Sequence, residues 1–331
     1  MGDDPSEGLA GALEPHLGPG VEITGLRPLT SGASRQSIRF DAAAPGQTWR
    51  PYVLQREMAP GLALRAGGAG PPETGPLSMK RQAVVLKAAL KAGVPVARVV
   101  ASGEVDGRQF IVSEWLEGEA LPPRLLRDPS LEAGTARLMQ DCATALARIH
   151  ALGPDGLGLT EQDRLAVYRG RLDALDEPRP VLELGYRWLA ENRPAPGPLS
   201  VVHGDFRLGN LLVGPSGLAA VLDWELTHLG DPHEDVAWAT IRAWRFDRHR
   251  APGVFPEPDA WVEAYNAEAG PARAIDPASL LWWQIAGTWS WAVISAMQAR
   301  RHLDGWVQSL EHAVIGRRVC ESEWDLLELL P

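Results

Sequence analysis

The segment from 201 to 225, VVHGDFRLGNLLVGPSGLAAVLDWE, constrains the fold of this 331-residue chain more than any other. Two apolar runs, NLLV and LAAVLDW, flank the turn sequence GPSG, and this pattern predicts a β-hairpin. Asn210 opens the first strand and Asp223 closes the second, so antiparallel pairing brings the two residues to one end of the hairpin. Asp205 lies in the loop just before Asn210, and we expect it at the same edge.

Amide and carboxylate oxygens placed together suit a magnesium ion that carries a substrate phosphate, because Mg²⁺ prefers hard oxygen ligands and takes only one or two from the protein. A second carboxylate nearby can accept the proton of an attacking hydroxyl. The set therefore outlines a phosphoryl-transfer site. Asp and Asn also stand at strand ends because they favour turns, which suffices to explain any one of them. It does not explain the set, in which His203 precedes Asp205 by two residues and Asn210 follows it by five.

The order of predicted elements favours an α+β fold in two parts. The first part reads as a small antiparallel sheet of five strands with one helix between the third and fourth strands, preceded by a short helix at 7–17. After a hinge near 113–118 the pattern becomes mostly helical, with strands only near 200–223. We therefore expect an N-terminal domain over 1–115 and a C-terminal domain over 116–331.

Charge and cysteine content exclude several classes of protein. There are 32 basic and 42 acidic residues, and the resulting net charge of −10 argues against a nucleic-acid or anionic-membrane partner. Two cysteines cannot build a disulfide framework or a structural zinc site. The first residues, MGDDPSEGLAG, lack the basic and apolar regions of a secretory signal, which predicts a cytoplasmic protein.

An uncharged stretch at 277–299 is long enough to span a bilayer. However, Gln284, Thr288 and Ser290 lie near its middle, and its tryptophans lie inside it instead of at the two membrane interfaces. We therefore predict a buried amphipathic helix and no membrane partner, with a membrane anchor as the alternative.

The motif His203-Gly204-Asp205-x4-Asn210, with Asp223 further along, resembles the catalytic segment of aminoglycoside phosphotransferases and choline-kinase-type enzymes. That resemblance implies a protein-kinase-like fold of two lobes, with ATP or GTP as phosphoryl donor. It implies that Asp205 is the catalytic base, that His203 braces the loop, and that Asn210 and Asp223 hold Mg²⁺.

The same resemblance implies further assignments. Asp235, in GDPHEDVAW, is expected to tie the catalytic loop to the helix behind it. The longer motif HGDFRLGN…LDWE…GDP is similar to that of a bacterial branch that includes kinase-like domains directed at hydroxyacyl-CoA. In the N-terminal part the resemblance implies a loop over the nucleotide phosphates and a hinge that meets the purine; the matching residues are Gly32 and Ser34 in the loop, and Ser113, Glu114 and Leu116 in the hinge.

The family pattern breaks where a lysine on the third strand should pair with a glutamate on the next helix. Gln55 matches the lysine and Gln82 matches the glutamate. One interpretation is a neutral pair of glutamines, with Arg56 or Arg81 supplying positive charge and activity retained. A register shift that puts Arg56 at the lysine position is also open. The other interpretation is weak nucleotide binding and a non-catalytic binding protein.

The acceptor is expected to be a small hydroxylated molecule. Tryptophans are frequent in the last third of the chain, and at helical spacing they usually form core. The alternative is that some of them, with Trp224, line an acceptor pocket, which would favour an apolar or acyl acceptor over a polycationic sugar. The oligomeric state stays open.

Overall fold

A computed structural model of the chain describes residues 6–29, 35–57, 75–244, 258–306 and 309–331. The candidate phosphate-loop residues Gly32 and Ser34 lie outside the described residues. The chain divides into two compact units. The N-terminal unit holds the described residues up to 57 with 77–91 and 96–117, and the C-terminal unit holds 92–95 and the described residues from 118 onward.

A five-stranded antiparallel sheet forms the N-terminal unit, in the order β1-β2-β3-β5-β4, and confirms the predicted α+β fold. The strands are β1 (Glu22–Pro28), β2 (Arg35–Ala43), β3 (Arg50–Glu57), β4 (Val99–Val105) and β5 (Arg108–Glu114), and the helices are α1 (Ser6–Leu17) and α2 (Met79–Lys91).

Alternating burial along the strands defines the two faces of this sheet. Phe40, Tyr52 and Leu54 are buried in one cluster with Leu9 and Leu13 of α1, so α1 covers this face. The side chains of the opposite alternation face the other way, where α2 packs beside β4 and β5. Each strand therefore presents successive residues to different partners.

Helices form most of the C-terminal unit. They are α3 (Pro122–Leu125), α4 (Glu132–His150), α5 (Arg164–Asp173), α6 (Pro180–Glu191), α7 (His233–Trp238), α8 (Pro258–Ala269), α9 (Pro277–Leu303), α10 (Leu310–Ile315) and α11 (Arg318–Leu329), with short 3₁₀ turns at Pro129–Leu131 and Arg242–Trp244. Two small antiparallel pairs complete the unit, β6 (Ser200–Val202) with β9 (His228–Gly230) and β7 (Leu211–Gly214) with β8 (Gly217–Val221).

Helix α9 contains the uncharged stretch and is packed within the C-terminal unit. Asp276 caps its N-terminus by accepting from the backbone of Ala278 and Ser279, and Trp289 is fully buried in its core cluster. Two polar side chains in its middle bond within the unit, since Gln284 Nε2 donates to a threonine hydroxyl on the turn after α7 at 2.9 Å and Thr288 Oγ1 donates to the carbonyl of Gln284 at 2.8 Å. No helix among the described residues combines the length and apolar character needed to cross a membrane.

The predicted hairpin is present as β7 and β8, with Leu211 opposite Val221. Its turn lies against α4 so closely that a Cβ on Gly134 would collide with the backbone carbonyl of Gly214. Glycine at 134 therefore allows the helix and the hairpin backbone to touch, and this contact sets where the ends of the hairpin lie.

Candidate active site

The loop between β6 and β7 carries Asp205, whose carboxylate accepts hydrogen bonds from three side chains. Trp238 Nε1 donates to Oδ1 at 2.8 Å and Arg207 Nε donates to the same oxygen at 2.9 Å. Asn210 Nδ2 donates to Oδ2 at 2.6 Å. Since an ionised carboxylate has about four acceptor positions, these bonds fix the orientation of Asp205 and leave Oδ2 with room for a further donor.

Asn210 and Asp223 come together at the open end of the hairpin. The backbone N–H of Leu222 donates to the carbonyl of Asn210 at 2.8 Å, which extends the strand pairing to the residue before Asp223. Asn210 Nδ2 donates to the backbone oxygen of Asp205 at 3.0 Å as well as to its carboxylate, so Oδ1 is the acceptor atom of this amide.

Asp223 is exposed and adopts a left-handed backbone conformation with φ of +59°. Non-glycine residues rarely adopt this conformation, and it is common at functional sites. An amide oxygen and one exposed carboxylate fit Mg²⁺, which takes few protein ligands. Within the described ranges no group of three or more His, Cys, Asp or Glu side chains is arranged for a metal ion, so any metal here would rest on the Asn210 and Asp223 set.

His203 links the loop to the end of β8. The backbone N–H of Asp205 donates to His203 Nδ1 at 3.2 Å, and His203 Nε2 lies 3.0 Å from the backbone oxygen of Leu222. Nδ1 accepts, so the ring proton is on Nε2 and is donated to Leu222. Burial lowers the pKa of His203 below its ordinary value, which agrees with a neutral ring. One neutral imidazole thus positions the residues next to both carboxylates.

Asp235 on α7 supports this loop from beneath. It is fully buried, and its carboxylate accepts from the backbone N–H of His203 at 2.7 Å and of Gly204 at 2.9 Å. His150 Nε2 lies 3.2 Å from the same carboxylate, and Tyr265 Oη lies 2.7 Å from His150 Nδ1. Burial alone would raise the pKa of Asp235, but the hydrogen bonds and the nearby imidazoles hold it below its ordinary value.

Sequence patterns indicated the role of Asp235 but not the partners behind it. His150 ends α4 and Tyr265 lies on α8, far from the motif in the chain, and nothing in their local sequence marks them. Arg207 and Trp238 were also missed as partners of Asp205. The motif itself contained one signal for Arg207, because it lies two residues after Asp205 in the same loop.

Gly204 gives the loop its turn. Its φ is +83°, and a Cβ at this position would lie 2.5 Å from the backbone oxygen of Leu226. A larger residue would be strained and would push the loop away from the segment that follows β8. The glycine of the motif is therefore required by the close approach of two backbones.

A cavity of about 590 Å³ in the C-terminal unit adjoins Asp205 through Trp238. Trp282 and Trp283 also line it, which makes part of its wall aromatic. Trp224, which was considered for such a pocket, is instead buried against His203 with ring centroids 4.9 Å apart. Trp238 and Trp282 line the cavity while also belonging to the core, since they are 7% and 2% exposed.

Ionic pairs occupy much of the polar wall of this cavity. Arg164 Nε lies 3.2 Å from Glu234, and Arg193 Nη2 donates to Asp163 at 2.7 Å. Asp231 lies 3.0 Å from His233 Nδ1. Arg164 and Arg193 thus match Glu234 and Asp163, whereas Asp231 is held by His233 and by the backbone N–H of Gly197 at 2.6 Å.

In the N-terminal unit Gln55 and Arg56 point to opposite faces of the sheet. Arg56 is on the α1 face, 8% exposed, and its Nε donates to Gln36 at 2.8 Å. Gln82 is buried on α2, but its amide oxygen accepts from Arg35. The expected neutral pair of Gln55 with Gln82 is therefore replaced by a contact between Gln82 and an arginine of β2.

The hinge candidates end β5. The backbone N–H of Glu114 donates to the carbonyl of Arg98 at 3.0 Å, so this N–H is used within the sheet. The side chain of Glu114 accepts from Arg98 Nη2 at 2.5 Å. Ser113 pairs with Val53 in the ladder and Leu116 follows the strand, both half-buried.

Comparisons with known proteins agree with this architecture. Residues 25–283 match the model of the phosphotransferase enzyme family (APH). The mouse protein named acyl-CoA dehydrogenase family member 10 is 28% identical over 237 residues, which cover 66% of this chain and 21% of the mouse protein. The chicken acyl-CoA dehydrogenase family member 11 is 30% identical over 213 residues, covering 59% of this chain and 27% of that protein. The chain therefore spans about a quarter of the length of these relatives.

Solved structures share the fold over nearly the whole chain. A Ralstonia eutropha protein assigned to the aminoglycoside phosphotransferases aligns with a TM-score of 0.72 at 23% identity and covers 97% of this chain and 98% of that one. The macrolide 2′-phosphotransferase MphH from Brachybacterium faecium aligns with a TM-score of 0.58 at 18% identity, covering 95% and 97%. A thermostable mutant of the aminoglycoside phosphotransferase APH(4)-Ia, solved with AMP-PNP and hygromycin B, aligns with a TM-score of 0.57 at 18% identity over 95% of this chain and 97% of its own. These likenesses identify the fold as that of the kinase-like phosphotransferases.

Proposed function

We propose that this chain, which belongs to the phosphotransferase enzyme family, transfers the γ-phosphoryl group of ATP or GTP to a hydroxyl group of a small molecule in a Mg²⁺-dependent reaction. The observation that carries the proposal is the common position of Asp205, Asn210 and Asp223 at one end of the β7–β8 hairpin, connected through His203. The nucleotide complex of APH(4)-Ia, which has the same fold, supports a nucleoside triphosphate as donor.

Asp205 has the position of a general base. Its oxygen Oδ2, with one described hydrogen bond, can accept the proton of the acceptor hydroxyl as that oxygen attacks the phosphoryl group. Trp238 and Arg207 hold the other oxygen and keep the carboxylate oriented before the acceptor arrives.

The metal would be held by Asn210 Oδ1 and the Asp223 carboxylate. Mg²⁺ bound there would neutralise charge on the phosphate oxygens of the nucleotide. His203 contacts the backbone N–H of Asp205 and the backbone carbonyl of Leu222, the residue before Asp223. The ring thereby fixes the position of the base relative to the metal ligand Asp223.

The cavity beside Trp238 is proposed as the acceptor site. Two of the carboxylates that line it, Glu234 and Asp163, are paired with Arg164 and Arg193, which leaves less free negative charge for a polycationic aminoglycoside. Its tryptophan surfaces favour an acceptor with an apolar portion next to the hydroxyl group. The names of the related acyl-CoA dehydrogenase family proteins are consistent with an acyl acceptor.

The experiment compares wild type, Asp205→Asn and the control Asp155→Asn, which changes an exposed loop carboxylate. Each protein receives Mg-ATP or Mg-GTP with a panel of hydroxylated metabolites and hydroxyacyl-CoAs, and nucleotide consumption and product mass are measured. We expect Asp205→Asn to lower kcat by about 10²–10⁴-fold with the dissociation constant for nucleotide within about twofold. Full turnover by this variant would remove Asp205 from the role of base.

A non-catalytic nucleotide-binding protein is the second candidate, favoured by neutral Gln55 and Gln82 where a lysine and a glutamate are expected. It predicts that the wild type binds Mg²⁺-nucleotide but turns over no acceptor in the panel. Calorimetric titration of nucleotide, run beside the turnover assay, separates the two functions.

A further inference from the structure

Arg35, the first residue of β2, contacts the helix that normally supplies the glutamate of the missing ion pair. Its Nη1 donates to Gln82 Oε1, and its Nη2 donates to the backbone oxygen of Leu77 at 2.7 Å. Gln82 is only 3% exposed, so the acceptor end of this contact is fixed within the unit. The guanidinium is thereby held between β2 and the start of α2.

The strand register places Arg35 close to the position where a lysine is expected. Ser37 lies directly opposite Gln55 in the β2–β3 ladder, and Arg35 lies opposite Glu57. Because side chains alternate, Arg35, Ser37 and Gln55 share one face, and Arg35 is the diagonal neighbour of Gln55, roughly 7–8 Å away between Cα atoms in an ordinary ladder. An arginine side chain covers that distance.

Arg56 has the charge but not the position. It lies on the α1 face and is bonded to Gln36 of β2 at 2.8 Å. The sheet therefore separates it from Gln55 and Gln82. Arg39 shares the face of Arg35, but its guanidinium bonds to Asp41 at 3.4 Å and lies over the Trp115 ring. Arg35 is the arginine of this face that contacts Gln82 on α2.

We propose that Arg35 supplies the cation that binds the phosphates of the nucleotide, in place of a lysine on β3, with Gln82 as its neutral anchor. This inference rests on the proposed function, since it concerns how the same nucleotide would be held. A guanidinium has five N–H donors in a fork that matches phosphate oxygens, so bonds to its anchors and to a phosphate are compatible.

Glutamine at 82 fits this role better than glutamate would. The amide oxygen accepts the same hydrogen bond from Arg35 as a carboxylate would, but it adds no negative charge beside the phosphates. The two glutamines and Arg35 are thus consistent with one another. The cation comes from β2 instead of β3, and its partner on α2 is a neutral glutamine instead of a glutamate. In the chain, Arg35 directly follows the candidate phosphate-loop residues Gly32 and Ser34.

The test measures dissociation constants for ATP, ADP and adenosine by calorimetry on wild type, Arg35→Gln and the control Lys87→Gln. Lys87 is exposed on the other side of α2, so its substitution changes net charge equally without touching Arg35. We expect Arg35→Gln to weaken ATP and ADP binding about 10–100-fold, while adenosine binding changes less than about twofold. Lys87→Gln should bind all three like wild type.

A second variant tests the position itself. Adding Gln55→Lys to Arg35→Gln should recover most of the ATP affinity, because it returns a cation to the same face from β3.

ATP affinity unchanged in Arg35→Gln, or an equal loss for adenosine, overturns the inference while leaving the proposed function intact. Wild type that binds no nucleotide overturns both. If Arg35→Gln does not fold, Arg35→Met decides, because it keeps an unbranched apolar stem and removes the charge: a selective loss for ATP supports the inference, and ATP affinity equal to that of wild type overturns it.

Discussion

The two units hold their charged groups in different ways. In the C-terminal unit, Asp205 is oriented by side chains whose own positions depend on buried partners, with Asp235 fully buried beneath the loop. In the N-terminal unit, the described contacts of Arg35 include one neutral amide and one backbone carbonyl in a partly buried setting. The proposed base is thus fixed by a buried network, whereas the proposed cation lies in a partly buried setting. We therefore expect the two positions to differ in how far they tolerate change.

The difference has an energetic reason. A general base and the two ligands of a metal ion need accurate geometry. Buried charge-assisted hydrogen bonds supply it, because moving any member of the network leaves a buried polar group without a hydrogen bond. A cation that attracts phosphates acts over a longer range, so its side chain can come from more than one strand of the sheet. Substitutions beneath the catalytic loop should therefore cost more than substitutions around Arg35.

The largest effect is expected from Asp235→Asn. This variant places an amide N–H₂ among the donors of His203, Gly204 and His150 and removes a buried charge. We expect the free energy of unfolding to fall by about 3–5 kcal/mol, measured by urea denaturation. Glu321→Gln, a change on the exposed side of α11, is the control. A loss below about 1 kcal/mol would show that the buried network is not what fixes the loop.

The next largest effect is expected from Gly134→Ala, since its new Cβ would collide with the hairpin backbone at Gly214. We expect a loss of about 1–3 kcal/mol in the free energy of unfolding. Gly170→Ala is the matched control, because Gly170 lies inside α5 with open space around it. There alanine should stabilise by about 0.5–1 kcal/mol. Equal effects at the two positions would contradict the close approach of α4 to the hairpin.

The pH dependence of stability probes the same network. Burial lowers the pKa of His150 and His203 below the ordinary value of 6.5. Between the lowered pKa and about 6.5 the unfolded chain binds more protons, so the free energy of unfolding rises with pH by up to about 1.4 kcal/mol per unit and per histidine. Below the folded pKa this contribution to the slope disappears.

The variant for this prediction is His150→Gln, with His16→Gln, on the exposed side of α1, as control. Urea denaturation at several values between pH 5 and pH 7 gives the slope. We expect His150→Gln to reduce the slope and His16→Gln to leave it as in wild type. A slope that stays the same in His150→Gln would mean that folding does not lower the pKa of His150.

Much of the proposed active site was predictable from sequence because its residues are close together in the chain. His203, Asp205, Asn210 and Asp223 belong to one segment, and hairpin geometry alone brings its ends together. The five strands of the N-terminal sheet were also predictable, since alternation and turn residues mark them. The supports behind the loop were not, because His150 reaches Asp235 from 85 positions away in the chain.

The phosphate-side cation shows the same limit more sharply. Alternation in β3 predicts that Gln55 and Arg56 point to opposite faces, but it does not reveal which face α2 covers. That depends on packing of α1 against the Phe40 and Leu54 side of the sheet. Arg35 lies 47 positions from Gln82, and no local pattern connects them. Helix packing, which a single sequence does not encode locally, determines which arginine faces α2.

The smallest effect is expected from Gln82→Leu, which keeps the volume on α2 but removes the acceptor for Arg35. If the anchor only restrains the guanidinium, ATP affinity should fall about fivefold, roughly 1 kcal/mol, with adenosine affinity unchanged. Gln140→Leu, at an exposed glutamine of α4, is the control. A loss as large as that of Arg35→Gln would mean that the cation depends on a single fixed geometry, as the base does, and the contrast between the two units would disappear.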